Sequence, residues 1–165
     1  MIHSVSSMAV PTVMNEDHFR VMSEICANLC RDANARAIYV IDKNGQLIAT
    51  AGESERFDST ALASLVAGEM AATGGLAKLI GEEDFNVLFH EGVRDHVHIS
   101  LVANRVILVV IFDNRSSLGL VRLRVKKVSA ELREIFERML HESELPGANP
   151  VFSEITEQDI DSLFE

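Results

Sequence analysis

Apolar positions along the chain recur in two periods, one near 3.6 residues and one near two, and the switches between them outline the elements. Phe19, Met22, Ile25, Cys26, Leu29 and Cys30 form one stripe of a helix expected from Glu16 to about Asn34, with Asn15 as its cap and Glu16 and Asp17 at the positive end of its dipole. Arg36–Asp42 is β-branched and aromatic, and Gln46–Thr50 follows it across Lys43-Asn44-Gly45, an Asn-Gly hairpin signal. Beyond Gly52, Asp58 or Ser59 caps a second helix, rich in alanine and leucine, that reaches about Ile80 and closes at Gly81. Three strands follow, Phe85–His90, His96–Val102 and Arg105–Phe112. The last is apolar on both faces, which predicts a central strand covered by helices on each side. From Ser117 to about Glu142, apolar residues at positions 118, 121, 125, 128, 132, 135, 136 and 139 predict a long amphipathic third helix. The order is α-β-β-α-β-β-β-α, an α+β chain with one five-stranded antiparallel sheet between helices.

Charge and turn residues divide the chain further. Residues 1–14 read as an N-terminal extension, 15–142 as one domain, 143–150 as a linker broken by Pro146, Gly147 and Pro150, and 151–165 as a separate tail. Residues 141–165 hold seven acidic residues and no Lys or Arg, which leaves 18 acids against 15 bases in residues 1–140. In the tail, Thr156 can cap a short helix with Ile160, Leu163 and Phe164 on one side. A peptide so short is marginal as a helix in isolation. Either it folds into a partner's groove or it serves as a solubilising appendage.

The net charge of -10 opposes general binding to phosphate backbones or anionic membranes and favours a protein partner. No run approaches the ~20 apolar residues of a membrane span, and the N-terminus lacks a basic region before its few apolar residues. Two cysteines among 165 residues make no disulfide framework. These features predict a soluble cytoplasmic protein.

The sequence contains neither a Gly-x-x-x-x-Gly-Lys-Ser/Thr phosphate loop nor a Gly-x-Ser-x-Gly elbow, so no catalytic constellation, metal or cofactor of its own is expected. Cys26 and Cys30, four apart on an apolar stripe, read as core cysteines. His96 and His98 share one strand face without a metal-binding motif nearby and read as surface or edge residues. The second helix is the most informative segment. Leu62, Leu65, Val66, Met70, Leu76 and Leu79 form a large apolar face expected to lie on the sheet. Ser64, Ala67, Gly68, Ala71, Ala72 and Gly75 form a second side nearly without bulk. Interior glycine costs a helix about 1 kcal/mol against alanine, so a side this smooth reads as an interface for close backbone approach, or else as a helix buried on both sides. Arg122, Arg124, Lys126 and Lys127 form a basic cluster early in the third helix, either a solvated face or a dock for an acidic surface, the chain's own tail included. A ligand-holding sensor domain is disfavoured, because the second helix and last strand offer almost only apolar and small side chains.

Five segments carry a resemblance: Asp42–Ile48, Gly74–Glu82, Phe89–Gly92, Val106–Arg124 and Asp159–Phe164. Together they resemble the MglB family of bacterial roadblock proteins, relatives of profilin-like and longin modules, over about residues 15–165. The resemblance implies a roadblock fold and a homodimer, two copies of which bind one MglA-like small Ras-superfamily GTPase. It further implies acceleration of GTP hydrolysis, assistance to nucleotide exchange, control of cell polarity and gliding motility, and concentration at a cell pole. GTP and magnesium would belong to the GTPase, and the chain would be a regulator without an active site. The family pairs its second helices and presents them to the GTPase, which carries onto Gly68, Ala71, Ala72 and Gly75. It is understood to reposition the GTPase's own Arg and Gln rather than donate an arginine; Arg94 and Arg115 are the loop arginines to test otherwise. The family tail docks on the GTPase away from the nucleotide, which would make Ile160, Leu163 and Phe164 anchors. A scaffold of the same fold that does not activate hydrolysis is the alternative.

Overall fold

The computed structural model describes residues 14–144; all of the extension but Met14, most of the linker and the tail anchors Ile160, Leu163 and Phe164 lie outside them. The elements are α1 (Glu16–Asp32), β1 (Ala37–Asp42), β2 (Leu47–Gly52), α2 (Ser59–Leu79), β3 (Val87–Glu91), β4 (His96–Val102), β5 (Val106–Phe112) and α3 (Leu118–Glu144). One turn of 3₁₀ helix, Ser54–Arg56, precedes α2. The sheet is antiparallel in the order β2-β1-β5-β4-β3. This is the predicted order of elements, and every residue of the central strand β5 is buried as expected.

Local chemistry sets the boundaries. Asn15 accepts from the His18 amide while His18 Nδ1 accepts from the Asn15 amide, a reciprocal cap at the start of α1. Asp58 caps α2 through the Ala61 amide. The β1–β2 connection is wider than a two-residue turn: Gly45 alone takes positive φ (91°), and the buried Asp42 carboxylate accepts from the Asn44 and Gln46 amides. The pairing slips between Val40 and Ile41, leaving Ile48 bulged.

Alternation along the strands divides the interior into two layers. Ile38, Val40, Leu108, Val110 and Phe112 face α1 and α3, where Met22, Cys26, Leu29, Val121, Leu132, Phe136 and Met139 meet them. Tyr39, Ile41, Ile107, Val109 and Ile111 face α2. Two helices thus cover one face of the sheet and one helix covers the other. Cys26 lies in the first layer, and burial pushes its thiol up to about 12, with the nearby Cys30 adding to the effect. Cys30 is half-buried and donates to the Ala35 carbonyl.

Candidate functional site

The face that α2 lays on the sheet takes in only half of the leucine face expected from sequence: Val66 is buried and Leu62 and Met70 are partly buried against the sheet. Ala63, Val66, Ala67 and Ala77 are the buried residues of α2, whereas Leu65, Leu76 and Leu79 are 74%, 53% and 84% exposed. Close approach explains why the other three leucines turn away. A Cβ added to Gly45 would meet Ser64 Cα at 3.3 Å and Ala67 Cβ at 3.5 Å, so the helix rests almost backbone to backbone on the β1–β2 turn, where leucines have no room. Ala67 is therefore a sheet contact. Ser64, Gly68, Ala71, Ala72 and Gly75 are exposed as predicted, and they share their face with the three exposed leucines. The result is an unpartnered stripe with small residues along its middle and leucines beside them.

Polar ties around the entry to α2 and along its flank supplement its apolar contact with the sheet. Arg36 donates to both Asp95 oxygens at 2.8 Å and to Glu53 at 2.9 Å, with its guanidinium 5.4 Å from the centre of the Phe57 ring. Hydrogen bonding from Arg36 holds the Glu53 carboxyl below the usual carboxylate range. Tyr39 Oη and Ser59 Oγ both donate to the Ser54 carbonyl, fixing the entry to α2. Farther along, Glu69 pairs with His90 of the edge strand β3. A cleft of about 280 Å³ follows the flank of α2 past Met70, Ala71 and Gly74 to Lys43 and Phe85. The Arg36 cluster escaped the sequence reading, since its acids lie 17 and 59 residues away.

A Cβ added to Gly68 or Gly75 would meet nothing within 4 Å. Nothing among the described residues requires either glycine. Gly68→Ala and Gly75→Ala should each stabilise the dilute, unassociated chain by about 0.5–1 kcal/mol in urea unfolding. Weaker self-association or partner binding in the same variants would show that the missing methyl groups matter to a second molecule.

The basic cluster is two patches, because helical spacing separates its members. Arg122 and Lys126 line a cavity of about 580 Å³ beside β4, while Arg124 and Lys127 line a groove against α1 with Asn28 and Asp32. His98 is not a surface residue: it lies buried beneath α3, and desolvation, then the nearby Arg122 charge, lower its pKa. His96 is half-buried beside the Phe89 and Phe112 rings. Arg115 is tied to Asp113 of its own loop at 3.0 Å, and Arg94 is exposed. Among the described residues, no group of three or more His, Cys, Asp or Glu could hold a metal, and no helix is long and apolar enough to cross a membrane.

Residues 22–112 match the Roadblock/LC7 domain family. Among solved structures, Myxococcus xanthus MglB is 56% identical in sequence, covers 76% of this chain and 95% of its own, and superposes with a TM-score of 0.73. The chain belongs to the MglB family of Roadblock/LC7 proteins. The gliding protein MglB from Thermus thermophilus is 32% identical, with 78% of this chain and 98% of its own covered and a TM-score of 0.72. An MglB described with a tetrameric arrangement is 30% identical at the same coverages and TM-score. No curated protein sequence matches the chain. The MglB relationship accounts for the three-layer architecture. The domain match ends at Phe112, yet α3 beyond it supplies seven of the described buried residues, so in this MglB-family chain the third helix is part of the fold.

Proposed function

We propose that the chain is a homodimeric regulator that accelerates GTP hydrolysis by an MglA-like small Ras-superfamily GTPase, two copies serving one GTPase. The observation that carries this reading is the exposed α2 stripe, in which Leu65, Leu76 and Leu79 flank Gly68, Ala71, Ala72 and Gly75. Monomeric proteins seldom leave so continuous an apolar strip uncovered. Two copies can pair their α2 helices and still present small residues to the GTPase. The neighbouring edge strand β3, with Val87 half exposed, offers backbone groups for pairing with its counterpart. The tetrameric arrangement in the name of one relative's structure is in keeping with self-association.

In this reading activation uses no donated arginine, and of the two loop arginines the exposed Arg94 is the one whose replacement checks it. Arg115 is held by Asp113, whose carboxyl it keeps below the usual range through hydrogen bonds. The groups that act on the γ-phosphate would then be the GTPase's own, brought into place by contact with α2, and such positioning can be worth ~10³ or more in rate. Docking of Ile160, Leu163 and Phe164 on the GTPase away from its nucleotide would add affinity, and assistance to exchange belongs to the same reading. So do a role in cell polarity and gliding motility and concentration at a cell pole.

The deciding experiment is single-turnover GTP hydrolysis by the partner GTPase, with and without excess chain at fixed magnesium and salt. The expected result is an acceleration of about tenfold or more. Binding without acceleration would make the chain a non-activating roadblock scaffold.

A further inference from the structure

The cavity between β3, β4 and α3 lies on the opposite side of the sheet from α2 and has no part in that reading. Its volume is about 580 Å³ and it opens to solvent. Its floor carries His98 and Ser100, which are 2% and 5% exposed. His98 Nδ1 and Ser100 Oγ have no hydrogen-bond partner among the described residues. Buried polar atoms are nearly always paired, so two orphans in one cavity leave a place for a ligand's donors and acceptors. Arg122, Lys126 and Arg133 line the same cavity from one side of α3, and none makes an ion pair among the described residues. Val125 adds an apolar surface. The complementary ligand is an amphipathic peptide, with carboxylates for the rim, apolar side chains for the interior and backbone groups for His98 and Ser100. An inorganic anion would leave the apolar part unused.

We infer that this cavity is the docking site for the chain's own acidic segment, residues 151–165. That segment carries Glu154, Glu157, Asp159 and Asp161 without a single Lys or Arg, and it carries Ile160, Leu163 and Phe164 as apolar anchors. Reach permits docking within one chain. From Arg133 to the end of α3 at Glu144 is ~16 Å at 1.5 Å per helical residue. Residues 145–153 can span up to ~30 Å when extended, which returns the segment to the level of Lys126. A segment held there is unavailable to a GTPase until it is released, so the cavity competes with any partner for the tail.

The test uses the full-length chain alone, so it is independent of the GTPase reading. A water-soluble carbodiimide joins amines to carboxylates that are in contact, and peptide mapping locates the links. Lys126 should couple to Glu154, Glu157, Asp159 or Asp161 several-fold more than Lys127, its neighbour in sequence on the other side of α3. A double variant, Leu163→Asp with Phe164→Asp, should lose the Lys126 links although the segment has become more negative; circular dichroism checks that the fold persists. Equal coupling at Lys126 and Lys127, links that survive the double variant, or links found only between isotopically distinct chains in a mixture would each overturn the assignment.

Discussion

Gly75→Arg is expected to weaken binding of the partner GTPase roughly a hundredfold, equivalent to about 2.7 kcal/mol, while the chain remains folded. The folded state tolerates the change because Gly75 is exposed and a Cβ there meets nothing within 4 Å. Arginine is also a better helix former than glycine. In a complex, the same side chain would stand at one end of a strip built from Gly68, Ala71, Ala72 and Gly75. It would hold two backbones apart and bring an unpaired charge into the contact. Ala71→Arg should act in the same direction from the adjacent turn. Circular dichroism and calorimetric titration against the GTPase check both expectations. Sedimentation of the variant alone separates loss of the partner from loss of self-association. A folded Gly75→Arg protein with affinity within about twofold of the parent would remove α2 from the interface.

Phe136→Ala should cost about 3–5 kcal/mol, a large share of the 5–15 kcal/mol typical of a domain. Phe136 is 1% exposed and packs in the layer shared by α1, α3 and the sheet, so its removal leaves a cavity bordered by fixed neighbours. The urea midpoint should fall by about 1 M or more with little change in slope. Leu123, on the same helix but 63% exposed, provides the contrast: Leu123→Ala should stay within about 0.5 kcal/mol of the parent. The comparison is informative because α3 lies beyond residues 22–112, the part that matches the Roadblock/LC7 domain. A cost below about 1 kcal/mol for Phe136→Ala would mean that α3 is an appendage and not a covering layer.

How far the fold was legible depended on whether local pattern or distant geometry governed each element. The α3 stripe is buried at 121, 125, 128, 132, 135, 136 and 139, and only its first member, Leu118, is half-buried against the same layer. A single amphipathic face leaves a helix one way to turn, and β5, apolar on both sides, can only be central. Asn15 announced its cap, and the choice between Asp58 and Ser59 fell to Asp58, because capping acts over three residues. Helix α2 has apolar residues around nearly its whole circumference, so periodicity offered two faces for the sheet. The sheet takes neither face whole: Leu62, Val66 and Met70 of the larger and Ala67 of the smaller lie on it, together with Ala63, because the helix sits close against Gly45.

Sequence by itself determined the order of elements, the central strand, the third-helix core, the acidic tail and the membership that its motifs suggested. Tertiary structure decided which side of α2 is presented, placed His98 and Ser100 beneath α3, divided Arg122 and Lys126 from Arg124 and Lys127, and joined Arg36 to Glu53 and Asp95. The physical reason is range. Periodicity, capping and turn chemistry act between residues a few positions apart and are written into each segment, whereas burial and ion pairing depend on which distant surfaces the sheet brings together.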